Sequence, residues 1–275
     1  MVSITDCHVH MESEHADQEA LFQKLDASRA GELVVLSLAP SCFKLWKERD
    51  YTNEERLDIL LRWCEGANRL HPVYWIDPTE DDAEAQVERA VERGVQGFKV
   101  ICGHHYPGDP RAMKAYRRMA KLGRSVMFHS GILWDAKPSS KYNRPAEFED
   151  LIEIEGLKFA LAHISWPWVD ECVAVFGKYE NARKFHGLPG AEMYIDITPG
   201  TPDIYREEAL RRIFQVGYDV EDAVFFGSDQ NIESYEPAVT EAFVDRDLEL
   251  FQKLGISDSV PEKVFSANVK KFYGF

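Results

Sequence analysis

The sequence predicts an α/β protein, a closed (β/α)8 barrel of the TIM type, and three observations carry that expectation. Eight short apolar runs rich in Val, Ile, Phe and Tyr recur along the chain, polar stretches of helical period separate them, and no Pro/Gly/Ser-rich linker divides the chain. The runs fall at 4–10, 32–38, 71–77, 97–101, 125–131, 158–164, 192–198 and 223–229. Each is nearly continuously apolar, as strands covered on both faces are, which argues for a parallel sheet. The stretches 81–93, 111–122, 169–179 and 204–216 have the period of crossover helices, and 261–273 reads as a terminal helix. An open doubly wound sheet is the competing arrangement. No G-x-G-x-x-G or G-x-x-x-x-G-K-[ST] follows an early strand, so the usual occupant of such a sheet has no cradle here. The chain of 275 residues is long enough for one large core, and residues 1–275 read as a single barrel.

Composition narrows the function classes. With 45% hydrophobic and 29% charged residues the chain is an ordinary folded protein rather than a disordered one. Its 32 basic and 47 acidic residues give a formal charge of −15, which works against the phosphate attraction a nucleic-acid binder needs. No apolar run is long enough to span a membrane, and the first run opens almost at Met1 without a basic-then-apolar leader, so a cytoplasmic protein is expected. Five scattered cysteines, Cys7, Cys42, Cys64, Cys102 and Cys172, show no C-x-x-C spacing and read as reduced thiols. A homodimer is the base-rate expectation for such a barrel.

If the barrel is right, reactive residues belong at the C-terminal ends of the strands. The first run ends in His8 and His10, two imidazoles one residue apart that a strand points to the same side: half of a metal site. By the same alternation Cys7 is expected to point away from Asp6 and His8, toward the covering helices. Lys99 lies in the fourth run, His129 ends the fifth, His163 the sixth and Asp229 the eighth, so all converge on one mouth. His71 opens a strand and belongs to the opposite face, while His15 and His186 read as solvated. His104, His105 and Tyr106 follow the fourth run on the catalytic side, where loop residues touch substrate.

The order His-x-His, Lys, His, His, Asp along the first, fourth, fifth, sixth and eighth runs resembles the amidohydrolase superfamily over nearly the whole chain. The segments Met127-Phe128-His129-Ser130-Gly131, Leu161-Ala162-His163 and Phe265-Ser266-Ala267-Asn268-Val269-Lys270-Lys271-Phe272-Tyr273 are similar to the branch that includes aminocarboxymuconate-semialdehyde decarboxylase and several lactone hydrolases. The resemblance implies one divalent ion on His8, His10, His129 and Asp229, with His163 beside it as acid, base or electrophile. Such a donor set suits zinc, with manganese or iron as alternatives. In binuclear relatives the lysine of the fourth strand is carboxylated and bridges two ions, so a second ion follows if Lys99 is carboxylated. The expectation is a single ion with Lys99 facing the substrate; the competing role for Lys99 is a pair with a structural acid such as Asp6.

The implied activity is a metal-dependent hydrolase acting on a small, carboxylate-bearing lactone, cyclic amide or related carbonyl compound. Asp229 would pass the proton of the attacking water to the leaving group, with His163 polarising the carbonyl. The alternative is a metal-dependent, non-oxidative decarboxylase of an aromatic or unsaturated acid, and a third reading is a barrel that only binds. An anionic substrate is expected because basic loop residues (Lys44, Lys47 and Arg49; Lys137, Lys141 and Arg144) stand at the mouth of an acidic protein. Candidate substrate contacts are Lys99, His105, Tyr106, Trp134, Arg144 and Trp166; Tyr142 and Trp168 either wall the same pocket or pack loops onto the rim.

Overall fold

The computed structural model describes residues 2–15, 17–44, 48–187 and 190–275; Lys47, one of the loop cations named above, lies outside them. Its sheet holds β1 (Ile4–His10), β2 (Ala30–Leu36), β3 (Leu70–Trp75), β4 (Gly97–Val100), β5 (Ser125–Phe128), β6 (Lys158–Leu161), β7 (Glu192–Asp196), β8 (Val224–Phe225) and β9 (Gln230–Asn231). All described pairings are parallel, in the order β8-β7-β6-β5-β4-β3-β2-β1-β9. The expected eighth strand is present in two pieces. β8 pairs with β7 and β9 pairs with β1. Between them the Cys7 N–H donates to the Phe226 carbonyl (3.2 Å) and the Asp229 N–H to the His8 carbonyl (2.9 Å). One stretch of chain therefore begins on β7 and ends on β1, which closes the (β/α)8 barrel.

Helices α1 (Gln18–Asp26), α2 (Asn53–Cys64), α3 (Ala83–Glu92), α4 (Pro110–Lys121), α5 (Val169–His186), α6 (Asp203–Gln215) and α7 (Pro237–Lys253) form the outer layer. Their starts are written locally. Thr52 and Glu55 cap α2 reciprocally, and α4 begins with Asp109 bonded to the Arg111 N–H and Pro110 in the first turn. The crossover from β5 to β6 is made of 3₁₀ turns at Ser140–Asn143 and Pro145–Glu153, consistent with Pro138 and Pro145 interrupting any helical pattern there. No helix of the described residues is long and apolar enough to cross a membrane.

The barrel interior is filled by Cys7, Val34, Leu36, Val73, Met127, Ala160, Tyr194 and Phe225, and Val269, Phe272 and Tyr273 plug it from below. The terminal helix thus serves as the floor. It is interrupted by a π turn at Lys263–Ala267, and Asn268 donates to the Val224 carbonyl at 2.7 Å. Gly97 lies flat on the plug: a Cβ there would stand 2.4 Å from Tyr273 Cε1. His71 is at this closed end, as expected, stacked on Phe275 with ring centroids 3.4 Å apart.

Cys7 corrects the simple alternation. β1 pairs Asp6 with Leu33 but Val9 with Val35, one residue out of step. This β-bulge turns the consecutive residues Cys7 and His8 both toward the barrel interior, Cys7 into the packed core and His8 into the cavity above it. Asp6 faces outward instead. One of its oxygens accepts the N–H of His8 (3.1 Å) and of Ser228 (2.8 Å), and the other the Tyr235 hydroxyl (2.9 Å). The strands meet closely here because Gly227 has no side chain. A Cβ there would lie 2.5 Å from His8 Cβ, 2.6 Å from Thr198 Oγ1 and 2.9 Å from Cys7 Sγ. Gly227→Ala should therefore overpack this junction, lowering unfolding stability by about 1–3 kcal/mol and displacing His8. Denaturant melts with metal analysis check it: wild-type stability in the variant would show that the junction has slack.

Candidate metal centre

Above the plug the strand ends enclose a cavity of about 300 Å³, at the small end of ligand pockets. It is lined by His8, His10, Lys99, His129, His163 and Asp229, with apolar walls that include Trp75, Ile101, Leu133, Trp134 and Trp166. The residues expected from strands one, four, five, six and eight thus share one space. Within it His8, His10 and Asp229 bring ligand atoms within 4.8 Å of one another. His8 Nε2 is 3.1 Å from His10 Nε2 and 3.5 Å from Asp229 Oδ1, and His10 Nε2 is 3.3 Å from the same oxygen. Tetrahedral bonds of about 2.0–2.2 Å separate neighbouring ligand atoms by roughly 3.3–3.6 Å, so the set fits a divalent ion.

Each donor is oriented by its strand or loop. His8 Nδ1 donates to Asp196 Oδ2 at 3.0 Å, which fixes the ring as the tautomer with a bare Nε2. Asp196 is itself held by the Thr198 backbone N–H at 2.7 Å and by the Thr198 hydroxyl. Asp229 has φ of 63°, a left-handed conformation that costs a non-glycine residue about 1–3 kcal/mol. The hydrogen bond of its N–H to His8 holds it there. His163, Ile164 and Ser165 are left-handed too, at φ 60°, 52° and 55°. Ser130 Oγ braces that turn, 2.7 Å from the Ala162 carbonyl and 2.7 Å from Ser165 Oγ.

His129 stands apart from the other three donors. Its Nε2 donates to the Ile132 carbonyl at 3.2 Å, which leaves Nδ1 as the lone-pair nitrogen, and its ring centroid is 5.0 Å from that of His163. His163 Nδ1 donates to the Pro199 carbonyl at 2.9 Å, so the neutral ring offers Nε2 only as an acceptor. Burial, followed by Lys99, pushes the His8 imidazole well below its usual range; burial, followed by His163, does the same to His129. Both are neutral, as metal ligands must be. Burial works to raise the Asp229 carboxyl, but its bond to His10 and the neighbouring imidazoles outweigh it and hold the group below the usual carboxylate range. Asp229 is open to the cavity, its side chain 39% exposed.

Lys99 is fully buried, and its hydrogen-bond neighbour among the described residues is His8 Nε2, at 3.1 Å. Asp6 is not its partner, being turned outward by the bulge. Burial, opposed by Asp229 and Asp196, lowers the Lys99 ammonium to about 8.

Of the other sequence candidates, Trp134 and Trp166 line the cavity, whereas His105, Tyr106 and Arg144 do not. Arg144 is held outside by Glu171 at 2.6 Å and lies over the Trp168 ring. Tyr106 packs edge-on against Tyr142, and Lys141 sits over that same ring. Arg49 pairs with Glu55 at 3.1 Å. The described loop cations thus stay out of the cavity, and Lys99 is its one lysine or arginine among the described residues; their apparent convergence at the mouth was an effect of sequence position. Asp196 was missed from sequence. Its signal was an acid inside the otherwise apolar run Tyr194-Ile195-Asp196-Ile197.

A sequence model of the amidohydrolase family matches residues 5–275. No curated protein matches the chain by sequence. Among solved structures the chain is similar to a probable 2-pyrone-4,6-dicarboxylic acid hydrolase from Acinetobacter baumannii with citric acid bound (14% identity, TM-score 0.64, 100% of each chain covered). It is also similar to 2,6-dihydroxybenzoate decarboxylase from Rhizobium (14% identity, TM-score 0.63, covering 100% of this chain and 99% of that one). A third is an amidohydrolase from Burkholderia multivorans with bound zinc (12% identity, TM-score 0.64, 100% of each covered). At these identities the likeness is one of fold.

The His8–Asp196 bond generates a prediction. Asp196→Asn keeps the shape but removes the charge that orients the ring, so metal affinity should fall by about 10–100-fold in a chelator competition. Unchanged affinity would mean that packing alone orients His8.

Proposed function

The chain belongs to the amidohydrolase family, and from that premise we propose that it is a metal-dependent hydrolase opening a small lactone, cyclic amide or related carbonyl compound. The observation that carries this reading is the convergence of His8, His10 and Asp229 around one point at the cavity floor. His8, His10 and Asp229 would hold the ion, with His129 across the cavity as a further donor; zinc suits this nitrogen-rich set, and manganese or iron remain alternatives. When bound, a divalent ion supplies the Lewis acidity that makes water nucleophilic near neutral pH.

The chain's own residues do the rest. Asp229, ionised and open to the cavity, takes the proton of the attacking water as the new carbon–oxygen bond forms. It returns that proton to the leaving oxygen or nitrogen as the ring bond breaks. His163 accepts a hydrogen bond at Nε2, and it polarises a carbonyl only in its protonated form. Lys99, freed from His8 when that nitrogen binds metal, offers an ammonium to one substrate carboxylate. The tryptophan walls suit a single flat ring.

A second reading has its own support. One lysine in a cavity with aromatic walls also suits an aromatic monocarboxylate, whose decarboxylation would use Asp229 to deliver a proton to carbon. Product analysis separates the two: hydrolysis yields a product heavier by one water with a new carboxylate, whereas decarboxylation releases carbon dioxide. In either reaction Asp229→Asn, which also weakens one ligand, should lower turnover per bound metal by at least about 10²-fold while much of the metal stays bound on the imidazoles. Near-normal turnover in that variant would remove Asp229 from the proton transfers.

A further inference from the structure

A second group of metal-binding side chains lies outside the catalytic cavity, where the loops following β2, β3 and β4 meet. Cys42, Asp77 and His104 each offer a ligand atom there, all within 4.8 Å of one another. Asp77 is buried and Cys42 half-buried, while the His104 side chain is 46% exposed, so the group is dry on one side and wet on the other. The Thr79 N–H and hydroxyl both donate to Asp77 Oδ1, at 3.0 and 2.7 Å. That fixes the carboxylate and leaves its other oxygen, Oδ2, 3.5 Å from His104 Nε2. The separation is long for a hydrogen bond, which runs to about 3.2 Å, but close to the spacing of two ligands on one tetrahedral ion. Beside it His105 is 4% exposed, its ring 5.0 Å from that of His104, and neither of its nitrogens has a hydrogen-bond partner among the described residues. The immediate surroundings thus hold more imidazole nitrogen than their hydrogen bonds use.

We propose that Cys42, Asp77 and His104 form a second metal site, taking a zinc-like divalent cation with water in the fourth position on the exposed side. The charges balance: a thiolate and a carboxylate neutralise a dication, and imidazole adds a neutral nitrogen. Binding releases the thiol proton to solvent, and no electron changes hands. His104 gives up its 3.2 Å contact with Thr79 Oγ1 to reach the ion. The site joins three loops that are otherwise separate in sequence. Cys42 packs against the apolar group of Phe43, Trp75, Ile101 and Leu133, and Trp75 also lines the catalytic cavity with its ring 5.8 Å from His10. An ion here would therefore pin the wall of that cavity without touching substrate.

The experiment is cobalt(II) substitution of the full-length protein after removal of its metal by a chelator. Thiolate bound to cobalt gives a near-ultraviolet charge-transfer band that the nitrogen and oxygen donors of the catalytic cavity cannot produce. The expected result is a band that disappears in Cys42→Ser with the loss of one equivalent of cobalt, weakens in His104→Ala, and survives in His8→Ala. Wild-type protein that binds cobalt without such a band overturns the proposal, and so does a band that persists in Cys42→Ser. The catalytic centre fails separately: cobalt content unchanged by His8→Ala would count against that site and leave this one standing.

Discussion

The close approach of β1 to the last stretch of the barrel wall, at the bulge where Cys7 and His8 both turn inward, is the constraint on which the rest depends. Closing a barrel demands that its first and last strands pair, and here they pair through only a few backbone hydrogen bonds split between β8 and β9. Gly227 permits the approach and Asp6 ties both backbones together from outside. The same junction delivers Asp229 to within 3.5 Å of His8. Fold closure and assembly of the candidate centre are therefore one event, and a change that loosens the junction costs both.

The electrostatics of the cavity are set first by burial. Four imidazoles and a lysine line the cavity together with Asp229 and Glu12, and Asp196 stands behind His8. Burial therefore favours the neutral forms of His8, His129 and Lys99. Neutral imidazoles are what a metal requires. The formal charge of −15 has no bearing on this interior. Many surface acids are paired with lysines and arginines, as Glu171 is with Arg144 and Glu55 with Arg49, and the excess is screened by solvent. The anionic substrate was expected from local loop cations, but those described stay out of the cavity, which responds to the few groups it encloses.

Strain is concentrated where the chemistry is placed. The left-handed residues at 163–165 follow β6 and Asp229 directly precedes β9, and both turns are held by bonds to neighbouring strands. Without those bonds the backbone would relax to ordinary conformations and carry His163 and Asp229 away from the cavity. The plug formed by Phe272 and Tyr273 fills the opposite end, so the open space is confined to the C-terminal mouth.

The sequence by itself determined the barrel, the face on which chemistry belongs, and five of the strand ends that supply it. These are properties of period and order: apolar runs repeat along the chain, and a polar residue at a strand's end stays at that strand's end in any closed parallel barrel. Tertiary structure alone decided which groups touch. The bulge reversed Cys7, the outward turn of Asp6 left Lys99 beside His8, and Asp196 became the partner of His8 across 188 residues of chain. His105, Tyr106 and Arg144 were excluded from the cavity although their place in the sequence put them on the right side. The reason is geometric. Alternation is a local rule that one extra residue overturns, and a loop's position in sequence says at which end of the barrel it emerges but not which way its side chains turn once they find partners.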